Sequence, residues 1–301
     1  MSGTTRNDAG EPPTVSVVVP TYGRAAILER CLHALAAQRY PAHRWEVVVV
    51  DDGSAVPVRP STSLPCALRV IRQANAGPAA ARNRGAACAT GTLLAFTDDD
   101  CLPTPHWLSA LVDTLRGAPG ALVGGPVENV LYDDPYATAT DALTRFLYDY
   151  HERRRSAHGF YMTSNLALRA ESFRAVGGFD ERFRHAAGED REFSDRCRAA
   201  GHPLVFAPHA LVQHAHALTL HGFARQHLRY GRSAPHYHRT RVLRSERAIP
   251  AEPLTFYAAM LSAPFRQRAT HPVRTAALLA LSQLCYATGY VLESVSGEGA
   301  S

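Results

Sequence analysis

A chain of 301 residues with 46% hydrophobic and 20% charged content is long enough to bury a full core and ordinary for a globular protein. The net charge of +5 is uneven: residues 217–274 hold ten Arg and two Glu, a local +8 that leaves −3 elsewhere. This distribution excludes a body-wide nucleic-acid surface and directs any acidic partner or anionic membrane to the C-terminal portion.

All 32 basic residues are Arg. Without Lys there is no P-loop lysine, no Schiff-base lysine and no Ser-Lys dyad. The six cysteines, at 31, 66, 88, 101, 197 and 285, form no C-x-x-C pair or zinc spacing and read as thiols of a reducing compartment. Residues 1–13 are polar with no apolar segment of signal-peptide type, so they are expected to be a disordered tail and the protein cytoplasmic.

In chain order, the β-branched run 15–19 ending at Pro20 predicts a buried first strand. Residues 25–39 repeat apolar side chains at helical spacing (Ile27, Leu28, Cys31, Leu32, Leu35). A second buried strand over 45–50 ends in Asp51-Asp52-Gly53-Ser54, and a third short one covers 68–71. An Ala-rich helix over 79–90 leads to a fourth strand, 93–97, which stops at Asp98-Asp99-Asp100. Strands alternating with helices at this spacing predict βαβ units and a parallel sheet whose strand ends share one carboxyl edge. Ligands of open α/β sheets bind at that edge.

Beyond it, helices are expected over 106–116 and 141–150, a polar Arg-rich mobile stretch over 151–158, and a strand over 161–168. A short helix over 170–176, a helix over 191–200 and a strand over 204–207 precede His214-Ala215-His216. Residues 218–230 read as an amphipathic helix, 235–253 as irregular, and 275–292 as an apolar helix at the lower edge of membrane-spanning length. Arg266, Arg268 and Arg274 precede that last helix, which suits a cytoplasmic membrane face.

Three adjacent carboxylates raise one another's pKa unless solvated or shared with a cation. In an extended segment Asp98 and Asp100 project to one side and Asp99 to the other, a pair of hard oxygen ligands suited to Mg²⁺ or Mn²⁺. A solvated acidic turn is the alternative. The G-x-G-x-x-G signature of a dinucleotide binder is missing after the first strand.

Seven segments, in order, carry a resemblance: 15–24 (VSVVVPTYGR), 47–54 (VVVVDDGS), 75–85 (NAGPAAARNRG), 96–100 (FTDDD) with Pro103 and Trp107, 164–169 (SNLALR), 177–183 (GGFDERF) and 188–201 (GEDREFSDRCRAAG). Together they make the chain resemble a family 2 glycosyltransferase of the GT-A fold, bacterial type, over residues 15–216. The resemblance implies an α/β architecture with a mostly parallel central sheet and helices on both faces, here followed by a basic helical extension over 217–301. It implies transfer of a sugar from a nucleotide-diphosphate donor to an acceptor hydroxyl, with inversion, using a divalent cation (Mn²⁺ or Mg²⁺) and a carboxylate base.

Carried over residue by residue, Pro20, Tyr22, Asp52, Arg82 and Asn83 are expected on the donor nucleotide, with Asp99 facing ribose or sugar. Asp98 and Asp100 are expected on the metal, Asp100 first, with His214 or His216 as a third ligand. Asp190 is the expected base and Glu189 its nearest rival, while Ser164 and Asn165 fall on the acceptor side. The acceptor itself could be a glycan, a lipid-linked glycan, a peptide or a small molecule, and a membrane surface is a candidate partner. A nucleotidyltransferase or a non-catalytic sugar-nucleotide-binding protein are the competing readings.

Overall fold

The computed structural model describes residues 14–153, 159–183, 187–244 and 252–297. The N-terminal tail and most of the Arg-rich stretch expected to be mobile lie outside these residues.

The chain opens with β1 (Val15–Thr21), α1 (Ala25–Ala36), β2 (Trp45–Asp51), β3 (Ala67–Arg72), α2 (Pro78–Cys88) and β4 (Leu93–Phe96). β1 and β2 are buried along their whole length, as their uninterrupted valines require of strands covered on both faces. Side chains alternate: Val15, Val17 and Val19 face Leu28, Leu32, Trp107 and Leu111, whereas Val18 faces the layer holding Phe96, Phe173 and Phe193.

There follow β5 (Cys101–Pro103), α3 (Trp107–Gly117), β6 (Leu122–Gly124), β7 (Val127–Asn129), α4 (Pro135–Arg153), β8 (Leu166–Arg169), α5 (Ala170–Val176), α6 (Glu189–Ala199), β9 (Leu204–Phe206) and β10 (Val212–His214). The main sheet has the order β3-β2-β1-β4-β8-β6-β9. Neighbours from β3 to β4 pair in parallel, β8 runs antiparallel to both β4 and β6, and β9 returns parallel to β6. A second sheet, β5-β10-β7, carries the segment that follows the three aspartates beside the His214 strand.

Small residues set the depth of α2. A Cβ on Gly85 would stand 2.4 Å from Val18 Cγ1, so this helix lies directly on β1 and brings Arg82 beneath the sheet's carboxyl edge. Phe96 meets Phe179 edge-to-face and Phe179 meets Phe193 at a tilt, with centroids 5.2 and 4.5 Å apart, tying β4 to the 177–183 loop and to α6.

Three helices complete the chain: α7 (Leu220–Leu243), α8 (Leu254–Arg266) and α9 (Pro272–Gly297). The stretch read as irregular from residue 235 is instead helical as far as Leu243, with Pro235 inside α7. Tertiary docking overrides the proline there. Tyr237 Oη and Arg241 both bind Asp195 of α6, and Arg244 pairs with Glu192. The strand expected over 161–168 is confined to β8, after a single 3₁₀ turn at Thr163–Asn165.

α7 and α9 cross at two glycines. A Cβ on Gly231 would stand 1.9 Å from the Tyr286 carbonyl oxygen, and one on Gly289 2.1 Å from that of Leu228. Phe146 of α4 meets Phe256, Met260 and Ala263 of α8 and Leu279 of α9 in a separate apolar cluster. The C-terminal helices therefore pack onto α4 and α6 as part of one body with the sheet.

Candidate active site

The carboxyl edge of the sheet opens into a cavity of about 2100 Å³, walled by the strand ends on one side and by α4, α7, α8 and α9 on the other. Pro20, Tyr22, Arg24, Asp52, Arg82, Asp98, Asp100, Ser164, Glu189, Asp190, His214 and His216 all line it.

Asp100 is its electrostatic centre. Its carboxylate accepts from Arg24 Nη1 at 3.0 Å and His216 Nδ1 at 3.1 Å, and lies 3.3 Å from His214 Nε2. Burial alone would raise the Asp100 carboxyl; the two imidazoles and Arg24 outweigh it and hold it well below the usual carboxylate range. Burial likewise pulls His214 down, but Asp100 with Asp98 behind it leaves the imidazole raised. One donor atom from each of Asp100, His214 and His216 lies within 4.8 Å of the others. One carboxylate with two imidazoles is a donor set that fits a divalent transition metal. Register explains the assembly: β10 runs antiparallel to β5, placing His214 opposite Cys101, next to Asp100. Both histidines join the cluster, where the sequence offered one or the other.

The remaining aspartates of the triplet separate. Asp98 accepts from Arg82 Nη2 at 2.7 Å, and Arg82 Nη1 reaches Glu189 at 3.1 Å. Asp98 is therefore held toward α2 and α6, outside the Asp100–His214–His216 group, although it lines the same cavity. Asp99 is fully buried and absent from the cavity wall. It accepts from Thr21 Oγ1 at 2.7 Å and pairs with Arg24. Burial, offset in part by Arg24, pushes its carboxyl up to about 6. Its work is to position Arg24, not to touch a donor. Arg24, which closes the first motif, VSVVVPTYGR, is a further residue of the site.

Three further residues of the motifs are engaged within the protein. Asp52 lines the cavity, but Oδ1 accepts from Gln73 Nε2 (2.8 Å) and Ala76 N–H (2.9 Å). Oδ2 accepts from Asn75 Nδ2 (3.2 Å) and Gly77 N–H (2.9 Å). Four donors saturate a carboxylate, so Asp52 shapes the 73–77 loop. Asn83 spends its amide on Phe179 N–H and C=O (2.8 Å each) and on Glu181 (2.9 Å), stapling α2 to the 177–183 loop away from the cavity.

Asn165 is completely buried. It accepts from Trp107 Nε1 at 2.8 Å and donates to the carbonyls of Pro126 at 2.9 Å and Ala210 at 2.7 Å. It is a keystone between elements, not an acceptor contact. Asn165→Ala would leave three buried polar groups unpaired, at about 1–3 kcal/mol each when fully unmet. A loss of about 3 kcal/mol is expected in urea unfolding, with an unchanged affinity for nucleoside diphosphate in the folded fraction. Ser164, by contrast, does line the cavity; its Oγ is buried and has no partner among the described residues.

On the far side, Glu189 and Asp190 open α6. Glu189 is committed to Arg82; burial nevertheless raises its carboxyl, with Arg82 opposing and Asp190 adding to the rise. Asp190 accepts one hydrogen bond, from Arg191 N–H at 2.8 Å, and has no ion pair among the described residues. Burial raises its carboxyl too, with Arg191 only partly compensating.

The sequence matches the family described as glycosyl transferase family 2 over residues 16–177. The chain belongs to that family. Within the curated proteins, it is 34% identical over 200 residues to glycosyltransferase AglE of Haloferax volcanii, covering 65% of this chain and 64% of that one. It is 33% identical over 224 residues to the validoxylamine A glucosyltransferase of Streptomyces hygroscopicus subsp. jinggangensis, covering 64% and 53%. The chain thus spans between about half and two thirds of the length of these relatives. Its fold is that of a mannosyltransferase from Pyrobaculum calidifontis solved with GDP-Man and Mn²⁺, at TM-score 0.60 and 22% identity over 96% of this chain and 80% of that one. The GT-A architecture expected from the motifs is therefore the observed one.

Proposed function

We propose that this chain transfers a sugar from a nucleoside-diphosphate donor to an acceptor hydroxyl with inversion at the anomeric carbon. The observation that carries this reading is one cavity holding a metal-ligating group, Asp100–His214–His216, and a half-buried carboxylate, Asp190, with no ion pair among the described residues. Asp100, His214 and His216 would hold the cation, and imidazole ligands favour Mn²⁺ over Mg²⁺. When bound, the cation supplies Lewis-acid stabilisation of the leaving diphosphate.

The chain's own residues do the rest. Tyr22 is 56% exposed at the cavity beside Pro20 and offers a face for the nucleobase over the loop that Asp52 shapes. Arg225 and Arg229, one turn apart on α7, line the cavity with no ion pair among the described residues and can meet diphosphate charge. Asp98, aimed by Arg82, is placed to accept from the donor's hydroxyls. Asp190 takes the acceptor proton as the acceptor oxygen attacks the anomeric carbon and the bond to the diphosphate breaks. The nucleotidyltransferase and binding-only readings leave Asp190 without a task.

Screening nucleotide sugars for Mn²⁺-dependent release of nucleoside diphosphate tests the proposal. Release from no donor above the metal-free rate would sink it. Because burial raises the Asp190 carboxyl, the base is lost by protonation at a higher pH than for an exposed aspartate, whose pKa is about 3.9. kcat should fall with falling pH along a limb centred above that value, and the limb should vanish in Asp190→Asn.

The same proposal places the protein in the cytoplasm, against an anionic membrane face. All six cysteines are free thiols, as a reducing compartment requires. Within α9, the segment Pro272–Ser296 holds an 18-residue window of mean hydropathy 1.3, only 22% of which is buried. Arg266, Arg268 and Arg274 lie before and at its start. Co-flotation with phosphatidylglycerol vesicles, absent with phosphatidylcholine alone, is the expected result.

A further inference from the structure

The cavity has two chemistries. Its sheet-edge half is polar and charged, while the half between α4, α8 and α9 is walled by Leu143, Leu147, Phe256, Met260, Ala280 and Ala287. A nucleoside-diphosphate sugar carries no hydrocarbon chain, and its base has a face to meet at Tyr22 on the sheet-edge side, so no part of it needs this second half.

The acids that reach the apolar half are already engaged. Asp141 binds Arg145 at 2.9 Å and Asn129 N–H at 3.0 Å, and Glu252 accepts from Tyr150 Oη at 2.9 Å. The wall thus offers hydrocarbon rather than charge. The groove also leads outside. Leu284 and Val291 line the cavity yet are 67% and 58% exposed, and Tyr257 and Tyr290 stand beside them at 38%. A residue that is both wall and surface marks a mouth, and this mouth is rimmed by apolar side chains with hydroxyl-tipped rings among them. The inner end meets the base: Asp190 and Arg191 of α6, Tyr230 of α7 and Tyr286 of α9 line the same cavity as the apolar wall.

We infer that the acceptor is an amphiphile, its nucleophilic hydroxyl on a polar head beside Asp190 and its hydrocarbon chain lying between α4, α8 and α9. The inference rests on the transferase reading above and names the acceptor class for it. The head's oxygen forms the new bond to the anomeric carbon, the anomeric carbon–diphosphate bond breaks, the proton passes to Asp190, and nucleoside diphosphate leaves.

The test uses the full chain and alkyl β-glucosides of four, six and eight carbons, each below its micelle concentration, with binding followed by calorimetry. Burial of each methylene should tighten binding about fourfold. Ala287→Trp, which plugs the groove from an exposed position, and Leu284→Gln, which keeps its volume but makes it polar, should both flatten the series. Mn²⁺-dependent binding of nucleoside diphosphate should stay unchanged in both.

A series flat in the unmodified chain would overturn the inference, as would one unaltered in the two variants. So would affinity that grows with the number of sugar units in a cello-oligosaccharide but not with alkyl length. Failure of the transferase reading shows separately, as absent Mn²⁺-dependent release of nucleoside diphosphate while the alkyl series remains measurable.

Discussion

Asp100→Ala is expected to abolish stimulation by Mn²⁺ and to lower turnover by about 10³-fold, the equivalent of about 4 kcal/mol of lost stabilisation of the leaving group. The variant removes the one carboxylate that His214, His216 and Arg24 all meet. Asp98→Ala is the control, because Asp98 sits with Arg82 instead. It should weaken donor binding while Mn²⁺ still stimulates what turnover remains. Release assays across a Mn²⁺ titration read both, and an Asp100→Ala protein that still responds to Mn²⁺ would contradict the assignment.

Asp190→Asn should lower kcat by about 10²–10⁴-fold, the usual contribution of a positioned base, and leave donor affinity within about twofold. The isosteric amide keeps the contact at the start of α6 but cannot take a proton. Glu189→Gln should behave differently. Glu189 is buried against Arg82, so neutralising it leaves a buried guanidinium with Asp98 as its only remaining ion partner among the described residues. A fall in melting temperature should accompany any fall in rate there. Equal rate losses and unchanged melting temperatures in the two variants would mean the roles are exchanged.

Much of the sheet was legible because β1 and β2 are runs of valine ending in polar residues, a pattern few other structures produce. The site's members were legible as motifs, but their tasks were not. Asp52, Asp99, Asn83 and Asn165 all sit in family segments, and each holds backbone or a neighbouring side chain; of the four, Asp52 alone also lines the cavity. Polar residue types do not say whether their partner is a ligand or the protein itself; that depends on donors far along the chain, such as Trp107 for Asn165 and Thr21 for Asp99. The union of Asp100 with both histidines was hidden for a similar reason. It depends on β10 pairing with β5 across more than a hundred residues. The continuation of α7 through Pro235 was likewise set by Asp195 and Glu192 on another helix, not by local preference.

The glycine crossing of α7 and α9 has an evolutionary corollary. With no room for even a methyl group at Gly231 or Gly289, these two helices can neither slide nor separate without losing their contact. A lineage that alters what the enzyme glycosylates must therefore do so by exchanging side chains on α4, α8 and the outer turns of α9, around a frame that stays still. Variation among close homologues should gather on that wall and thin out to nothing at the two glycines.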